Sequence, residues 1–97
     1  MDRERIIATL RRHAVDLRRL GASRLFLFGS VARGEAGPAS DVDLFFDFDD
    51  ARFSLVELVA LRRRLSELVQ GPVDVMSRGS IHPRLRADIE GAAVQVF

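Results

Sequence analysis

The stretch that decides the fold is residues 25–48, LFLFGSVARGEAGPASDVDLFFDF. It contains two apolar runs, which are separated by a Gly-Ser dipeptide and a short polar segment. The length and aromatic content of residues 25–28 predict a buried strand, and Gly29 and Ser30 break this strand where a helix can begin. We therefore expect Ser30 to cap a short helix over residues 30–36. The exposed amides at such a helix start are suited to binding a phosphate.

Two carboxylates, Asp41 and Asp43, open the second apolar run. Because side chains alternate along a strand, both lie on one face of the predicted strand 41–48, separated by roughly 6.6 Å along the chain. Carboxylates this close repel each other unless a cation or a proton lies between them. Magnesium is held by one or two carboxylates together with phosphate oxygens, so the pair predicts a magnesium site that carries a nucleoside triphosphate. Asp47 lies ~13 Å beyond Asp43 and is expected to miss this site.

The spacing of these residues resembles a known signature. Gly29 and Ser30, ten intervening residues and then Asp41-x-Asp43 are similar to the signature of the DNA polymerase beta-like nucleotidyltransferase superfamily. The longer runs 29–34 and 40–44 resemble its smallest branch, the minimal nucleotidyltransferases or MNT proteins. The resemblance covers nearly the whole chain and implies an α/β (α+β) fold of the polymerase beta-like kind, in which a small mixed β-sheet is flanked by helices. We expect residues 1–97 to form a single minimal nucleotidyltransferase domain.

Composition limits the classes of protein to which the chain can belong. Its 97 residues suffice for one core, and 47% hydrophobic with 30% charged residues are typical of a globular protein. The chain has no cysteine, which excludes disulfides and thiolate metal sites. No apolar run approaches a membrane span and no signal peptide is present, so we expect a cytoplasmic protein without a membrane role. All 15 basic residues are arginine, which excludes lysine catalysis.

The whole sequence predicts helices and strands in alternation. The predicted order is helix 2–20, strand 24–28, helix 30–36, strand 41–48, helix 54–70, strand 73–77, helix 83–90 and strand 92–97. Ser54 and Glu57 form a capping box for the long helix, and His82 is expected at the cap of the last helix. Arginines recur seven residues apart on the first helix, which gives either a solvated basic face or a surface for a partner or RNA. They are Arg5, Arg12 and Arg19, with Arg11 and Arg18.

Asp74 and Arg33 each allow two interpretations. Asp74 is alone in a short apolar strand, where it either faces water at a sheet edge or supplies a third carboxylate to the site. Members of the family have their third acidic residue in the strand that follows the helix corresponding to residues 54–70. The resemblance therefore implies that Asp74 supplies the third carboxylate. Arg33 either braces the phosphates or pairs with Glu35 or a nearby carboxylate.

The resemblance also implies an activity, the transfer of a nucleotide from ATP to a hydroxyl. It implies that Asp41, Asp43 and Asp74 bind Mg²⁺ and are the catalytic residues, with Asp74 helping to deprotonate the incoming hydroxyl. The nucleotide-binding residues that it implies are Gly29, Ser30, Arg33 and Ser40.

MNT proteins are typically encoded beside HEPN-domain proteins as antitoxin and toxin, and family members transfer AMP from ATP to a tyrosine of the HEPN partner, which silences its ribonuclease. The resemblance therefore implies an antitoxin with a HEPN partner, in a homo- or hetero-oligomer, and no direct nucleic-acid role. The chain has no tyrosine of its own, so a tyrosine acceptor must lie in another molecule. Two alternatives are an antitoxin that neutralises its partner by binding alone and a small-molecule nucleotidyltransferase of the antibiotic-modifying kind. The intact carboxylate set disfavours the first, and the lack of an added helical domain disfavours the second.

Overall fold

The computed structural model describes residues 2–37 and 40–97. In chain order the elements are α1 Arg3–Arg12, α2 Ala14–Arg19, β1 Arg24–Phe28, α3 Gly29–Ala32, β2 Val42–Asp47, α4 Leu55–Val69, β3 Val73–Ser77, a 3-10 turn Arg78–Ser80, α5 Pro83–Ala92 and β4 Val94–Gln95. The predicted α/β (α+β) fold is confirmed. Residues 38 and 39 of the predicted turn 37–40 lie outside the described residues. Among the described helices, none has the length and apolar character that crossing a bilayer requires.

The four strands form one mixed sheet in the order β3-β2-β1-β4. β1 is antiparallel to both β2 and β4, whereas β2 and β3 are parallel. A parallel pair needs a crossover connection, which α4 supplies. β2 is therefore a central strand, and β3 lies at an edge of the described sheet.

One face of the sheet carries the hydrophobic core. Side chains alternate along a strand, so every second residue of β1 and β2 points into this core, where α1, α2 and α4 cover it. Its fully buried side chains include Leu10 and Leu17 from the first two helices, Leu25, Leu27, Val42, Leu44 and Phe46 from the strands, and Leu61 and Leu65 from α4. Burying each such side chain contributes about 1.5–3 kcal/mol, so this face supplies most of the favourable free energy of folding.

The opposite face carries rows of side chains that the strand register brings side by side. The first row is Phe28, Asp43 and Asp74, and the second is Phe26, Phe45 and Met76. The rings of Phe26 and Phe45 stack with their centroids 4.6 Å apart, and Phe45 is only 1% exposed. The guanidinium of Arg78 lies 4.7 Å from the ring centroid of Phe26 and 5.1 Å from that of Phe45. The carboxylate row therefore adjoins a covered apolar row.

Arg78 joins this face to α5. Its Nε and Nη2 donate to the two carboxylate oxygens of Asp47 at 2.8 and 3.1 Å, and its Nη1 donates to Glu90 at 2.6 Å. These side chains are largely shielded, with 22 to 33% of their area exposed. The expectation that Asp47 misses the carboxylate pair is confirmed, because an arginine at the far end of β2 neutralises it.

The predicted helix 2–20 is wrong in one respect, because it is interrupted at His13. α1 ends at Arg12 and α2 begins at Ala14. The backbone N–H of His13 donates to Leu10 at 3.1 Å, three residues back, while its ring Nδ1 lies 2.9 Å from the carbonyl oxygen of Thr9. A shift from i−4 to i−3 bonding is the usual way in which a helix tightens and ends.

Predicted and observed bounds agree more closely in the second half of the chain. The strand 73–77 is confirmed, and α4 runs between Ser54 and the left-handed residue Gln70. The carboxylate of Glu57 accepts from the backbone N–H of Ser54 at 2.9 Å, so the capping box is confirmed. His82 also caps its helix, since its Nδ1 accepts from the N–H of Arg84 at 3.1 Å. The predicted strand 92–97 is shorter, because β4 spans only Val94–Gln95, although the N–H groups of Val96 and Phe97 also donate to the carbonyl of Leu25 at 2.8 and 3.4 Å.

The arginines of the first two helices have mixed roles. Arg11 donates to the carbonyls of Val96 and Gln95 at 2.8 and 3.1 Å. The guanidinium of Arg18 lies 4.8 Å from the ring centroid of Phe97. Both arginines are exposed, as expected for a solvated face, and they also contact the last residues of the chain.

The Arg78 contacts predict a large effect at Asp47. Asp47→Asn removes the charge that two guanidinium nitrogens contact, so the free energy of unfolding should fall by roughly 1–3 kcal/mol, as expected for hydrogen bonds to a charged group. Urea denaturation measures this change. Asp50→Asn is the matched control, because Asp50 pairs with Arg52 on the exposed surface and should change stability little. Equal effects of the two variants would contradict the assignment.

Candidate active site

Three carboxylates lie at one end of the sheet. Asp43 is the second residue of β2, and its register partner on β3 is Asp74. Neighbouring strands are ~4.8 Å apart, so these two side chains leave the same face side by side. Asp41 is exposed and lies immediately before β2, so the strand begins one residue later than predicted. The three aspartates of the predicted site therefore lie at one edge of the fold.

The electrostatics of Asp43 reflect this proximity. The pKa of its carboxyl lies above the usual 3.8, first because burial disfavours the charge and then because Asp74 and Asp41 are negative. The positive charge of Arg33 acts in the opposite direction and lowers the pKa of Asp43. Within residues 2–37 and 40–97, the ion pairs involve other carboxylates and none of these three aspartates. The site therefore concentrates negative charge that favours a cation.

The chemistry of these side chains fits magnesium. All three are carboxylates, the hard oxygen ligands that Mg²⁺ prefers, and a divalent cation between them would relieve their repulsion. In the parts of the chain that the structure describes, no three acidic or histidine side chains converge closely enough to enclose a metal ion. Repulsion opposes such convergence when no cation lies between the charges. The three carboxylates are thus suitable ligands for Mg²⁺. They would have to move closer together when the metal binds.

Gly29 lies directly against Asp43. Its φ of +75° is in the left-handed region that favours glycine. A Cβ at this position would lie 2.9 Å from Cγ of Asp43 and still closer to its Oδ2. Only glycine leaves room for the carboxylate here, so the Gly-Ser turn and the aspartates form one structural unit.

The prediction that Ser30 caps the following helix is wrong. α3 spans only Gly29–Ala32 with Phe28 in the cap position, so Ser30 is the second helical residue. The chain turns at Gly29, which has a positive φ, so the helix begins before Ser30 rather than after it, as it would with a serine cap. At the end of α3, the N–H of Glu35 donates to the carbonyl of Ser30 at 2.9 Å. The first N–H groups of a helix have no hydrogen-bond partner within the helix. The backbone N–H of Ser30 is one of these groups, and it lies beside the carboxylates.

Arg33 and Ser40 border the site in different ways. The Nε of Arg33 lies 3.0 Å from Oε2 of Glu35, and both side chains are more than half exposed, at 54 and 65%. The structure therefore shows the pairing that the sequence allowed, while the charge of Arg33 still acts on Asp43. The hydroxyl of Ser40 accepts from the N–H of Gly37 at 2.9 Å, which closes the loop before β2. Nucleotide binding by either residue stays a prediction.

The proposed site lies apart from several concave regions of the described surface. Concave regions of about 460 to 520 Å³ lie elsewhere on the described surface, and the three aspartates do not line them. Asp74 is exposed on the edge strand, where another molecule can reach it. Sequence reasoning did not assign Phe28, which faces the same side as its partner Asp43 and adds apolar surface next to it. Its position at the end of β1, just before Gly29, was the available signal.

A mixed sheet with a Gly-Ser turn and aspartates on two adjacent strands is the arrangement of the nucleotidyltransferases. The family model of the nucleotidyltransferase domain matches residues 10–96. The chain belongs to this family and is a nucleotidyltransferase of its minimal type.

Curated relatives are similar to this chain over most of their length. "Putative protein adenylyltransferase MJ0435" of Methanocaldococcus jannaschii is 40% identical over 77 residues, which are 79% of this chain and 82% of that protein. "Protein adenylyltransferase MntA" of Thermococcus cleftensis is 37% identical over 79 residues, or 80% of this chain and 79% of that protein.

Solved structures share the fold. "Structure of putative minimal nucleotidyltransferase" has a TM-score of 0.76 at 39% identity, over 97% of this chain and 95% of that one. A chain of the structure of a tri-AMPylated Shewanella oneidensis HEPN toxin in complex with MNT antitoxin is also similar, with a TM-score of 0.64 at 18% identity. The match covers 90% of this chain and 68% of the matched chain. The second likeness is one of fold alone.

The raised pKa of Asp43 predicts a stability effect with a definite sign. Between the usual aspartate pKa and the raised value, the folded chain binds more protons than the unfolded chain, so its stability falls as the pH rises through this range. Asp43→Asn lacks this carboxyl group, so its stability does not fall with rising pH for this reason. Its melting temperature relative to wild type should therefore be higher at neutral pH than below the usual aspartate pKa, as thermal scans at the two pH values would show. A clear loss of stability at neutral pH would instead make Asp43 a structural residue.

The contact between Gly29 and Asp43 can be tested with a matched pair of variants. Gly29→Ala and Gly21→Ala each strain a residue of positive φ and force a close contact, with Asp43 or with Phe53 at 2.6 Å. Both should lower stability by roughly 1–3 kcal/mol. Only Gly29→Ala should also change the titration of the Asp43 carboxyl carbon in NMR spectra, because it displaces that carboxylate. An unchanged Asp43 titration in Gly29→Ala would contradict the close approach.

Proposed function

We propose that the chain is an antitoxin that transfers AMP from ATP to a tyrosine hydroxyl of a HEPN-domain ribonuclease toxin. The observation that carries the proposal is the carboxylate of Asp43, which lies against the Gly29 turn and whose pKa is raised by burial and then by Asp74 and Asp41. Such a site combines excess negative charge with free backbone donors. A metal-bound triphosphate matches both features.

Asp41, Asp43 and Asp74 would hold Mg²⁺, which when bound offsets the charge of the triphosphate and of the oxygens that attack and leave during the displacement at the α-phosphorus. Asp43 sits on the central strand with a neighbour on each side, so it is the most rigidly held of the three. Burial next to Phe28 keeps its charge poorly solvated, which strengthens its attraction for a cation.

The Gly29-Ser30 turn would hold the terminal phosphates. N–H groups in the first helical turn are free to donate, and they lie next to the aspartates rather than across a cleft from them. Arg33 adds a positive charge that already acts on Asp43, and it could turn to a phosphate because its pair with Glu35 is exposed. Ser40, which fixes the loop before Asp41, would hold that aspartate in reach.

Asp74 would accept the proton of the incoming hydroxyl. It is exposed at the sheet edge, whereas Asp43 is half-buried between two strands. An acceptor from another molecule can therefore approach Asp74 without displacing the rest of the site. A carboxylate in hydrogen-bond reach of a hydroxyl is suited to act as general base.

The acceptor is proposed to be a protein because of what the chain lacks and what it resembles. The sequence contains no tyrosine, so a tyrosine acceptor must be external. Relatives that are 40 and 37% identical carry the name protein adenylyltransferase, and the AMPylated HEPN toxin complex shares the fold. These likenesses support a HEPN protein as the acceptor.

The transfer can be tested directly. The chain, Mg²⁺ and ATP are incubated with the HEPN-domain protein encoded beside it, and intact-mass spectrometry should show additions to that protein in steps of AMP. Asp41→Ala should prevent the addition, because it removes one metal-binding carboxylate, and EDTA should do the same. Replacing the modified tyrosine with phenylalanine should abolish it as well.

Asp50→Ala is the control variant, since Asp50 is an exposed loop carboxylate outside the site and should leave transfer intact. The competing hypothesis is an antitoxin that acts by binding alone. If Asp41→Ala, at native expression, neutralised toxicity as well as wild type with no mass change on the toxin, that hypothesis would replace the enzymatic one.

A further inference from the structure

The exposed side of α4 carries an apolar patch, which consists of Leu55, Val56 and Val59. These side chains are 73, 76 and 40% exposed, whereas Leu61 and Leu65 of the same helix are fully buried. A helix at the surface of a globular protein normally turns polar residues to water. Three large aliphatic side chains within two turns of one helix are instead typical of a surface that another protein covers.

The patch lies between two concave regions. The first, of about 460 Å³, is lined by aromatic and aliphatic side chains that include Phe48, Phe53 and Leu55. The second, of about 490 Å³, is lined by Val59, Arg62 and Val73 among others. Val73 is the residue before Asp74 on the edge strand. The side chains of Val73 and Asp74 point to opposite faces of the sheet, so the second concave region reaches the edge of β3 and the proposed catalytic carboxylate lies on the other side of that edge.

The charge along this surface is unbalanced. Arg62 and Arg63 are exposed and line the second concave region, and the described ion pairs do not include them. The acidic groups near them are already engaged: Arg64 contacts Glu67 at 3.3 Å, and Glu57 is held by Ser54 in the capping box. The surface thus presents two arginines without a matching free carboxylate.

This imbalance favours a different protein over a second copy of the chain. A two-fold interface places the same patch on both sides, so a second copy would bring two more arginines and only engaged carboxylates. A partner with acidic residues beside an apolar segment would satisfy both features. Apolar side chains in the middle of the surface also disfavour a nucleic-acid ligand, which needs phosphate contacts.

We propose that the acceptor protein docks on this surface. An apolar segment of that protein covers Leu55, Val56 and Val59, and acidic residues beside it face Arg62 and Arg63. The docked protein extends around the outer edge of β3, which has no strand partner in the described sheet, and so brings its hydroxyl to Asp74 on the opposite face. The proposal rests on the proposed function for the identity of the acceptor.

The central test uses Val56→Asp, which buries a charge in the interface, and Val15→Asp as its matched control. Val15 is 62% exposed on α2, outside the patch. Calorimetry without nucleotide measures binding of the same HEPN-domain protein as in the transfer assay. Val56→Asp should weaken this binding about tenfold or more, as for a central interface residue, and Val15→Asp should not.

Steady-state kinetics adds a readout that a general loss of stability would not give. In Val56→Asp the KM for the HEPN protein should rise while the KM for ATP stays unchanged, because the patch lies outside the nucleotide site. Arg62→Glu should also weaken docking, and more so at low salt, whereas Arg19→Glu on α2 should have no effect.

Three results would overturn the docking proposal. These are no binding of the HEPN protein by the wild-type chain, equal binding by Val56→Asp and Val15→Asp, and loss of self-association in Val56→Asp with unchanged binding of the HEPN protein. The last would assign the patch to a contact between copies of the chain, as sedimentation would show. If binding depends on Val56 but wild type adds no AMP, the docking surface stands and the proposed transfer fails.

Discussion

Mutual repulsion among Asp41, Asp43 and Asp74 is the constraint on which the site depends. The fold holds three negative charges at one end of a sheet, raises the pKa of the middle one, and compensates them with one exposed arginine at a distance. Stability alone would disfavour such an arrangement, because a raised pKa means that the ionised form of Asp43 is less stable in the folded chain than in the unfolded chain. In the proposed function, a bound cation and the phosphates of ATP would offset this repulsion.

On the sheet face that carries these charges, the repulsion is confined to the end that holds the three aspartates. Next to the carboxylate row lies the stacked pair Phe26 and Phe45, and at the far end of β2 Arg78 neutralises Asp47. Of the two aspartates of β2, Asp47 is thus paired with Arg78, whereas the ion pairs of residues 2–37 and 40–97 do not include Asp43. The apolar row separates the two, so Arg78 stabilises α5 without cancelling the charge that the site needs.

Local patterns were enough to predict most of the fold. Alternation and turn residues predicted β1 and β3 with their observed bounds, whereas the predicted shared strand face of Asp41 and Asp43 is not shown, because Asp41 lies before β2. Contacts between distant residues could not be predicted in this way. Arg78 contacts Asp47, which is 31 positions away in the sequence, and no local pattern predicts this ion pair. The same holds for Asp74, whose place beside Asp43 followed from a family resemblance rather than from spacing. The break at His13 and the cap before Gly29 were missed because each depends on the conformation of one residue.

The edge position of β3 gives the site unequal mobility. β2 is hydrogen-bonded on both sides, whereas β3 has a strand neighbour on one side only, so the backbone at Asp74 opens more readily than that at Asp43. Amide hydrogen exchange would accordingly be slow around Asp43 and faster around Asp74. In the proposed function, Asp43 would therefore hold a fixed position for the metal, while Asp74 would adjust its position to the incoming hydroxyl. A rigid half and a compliant half within one small sheet would let the proposed site hold its nucleotide firmly while Asp74 adapts to the acceptor.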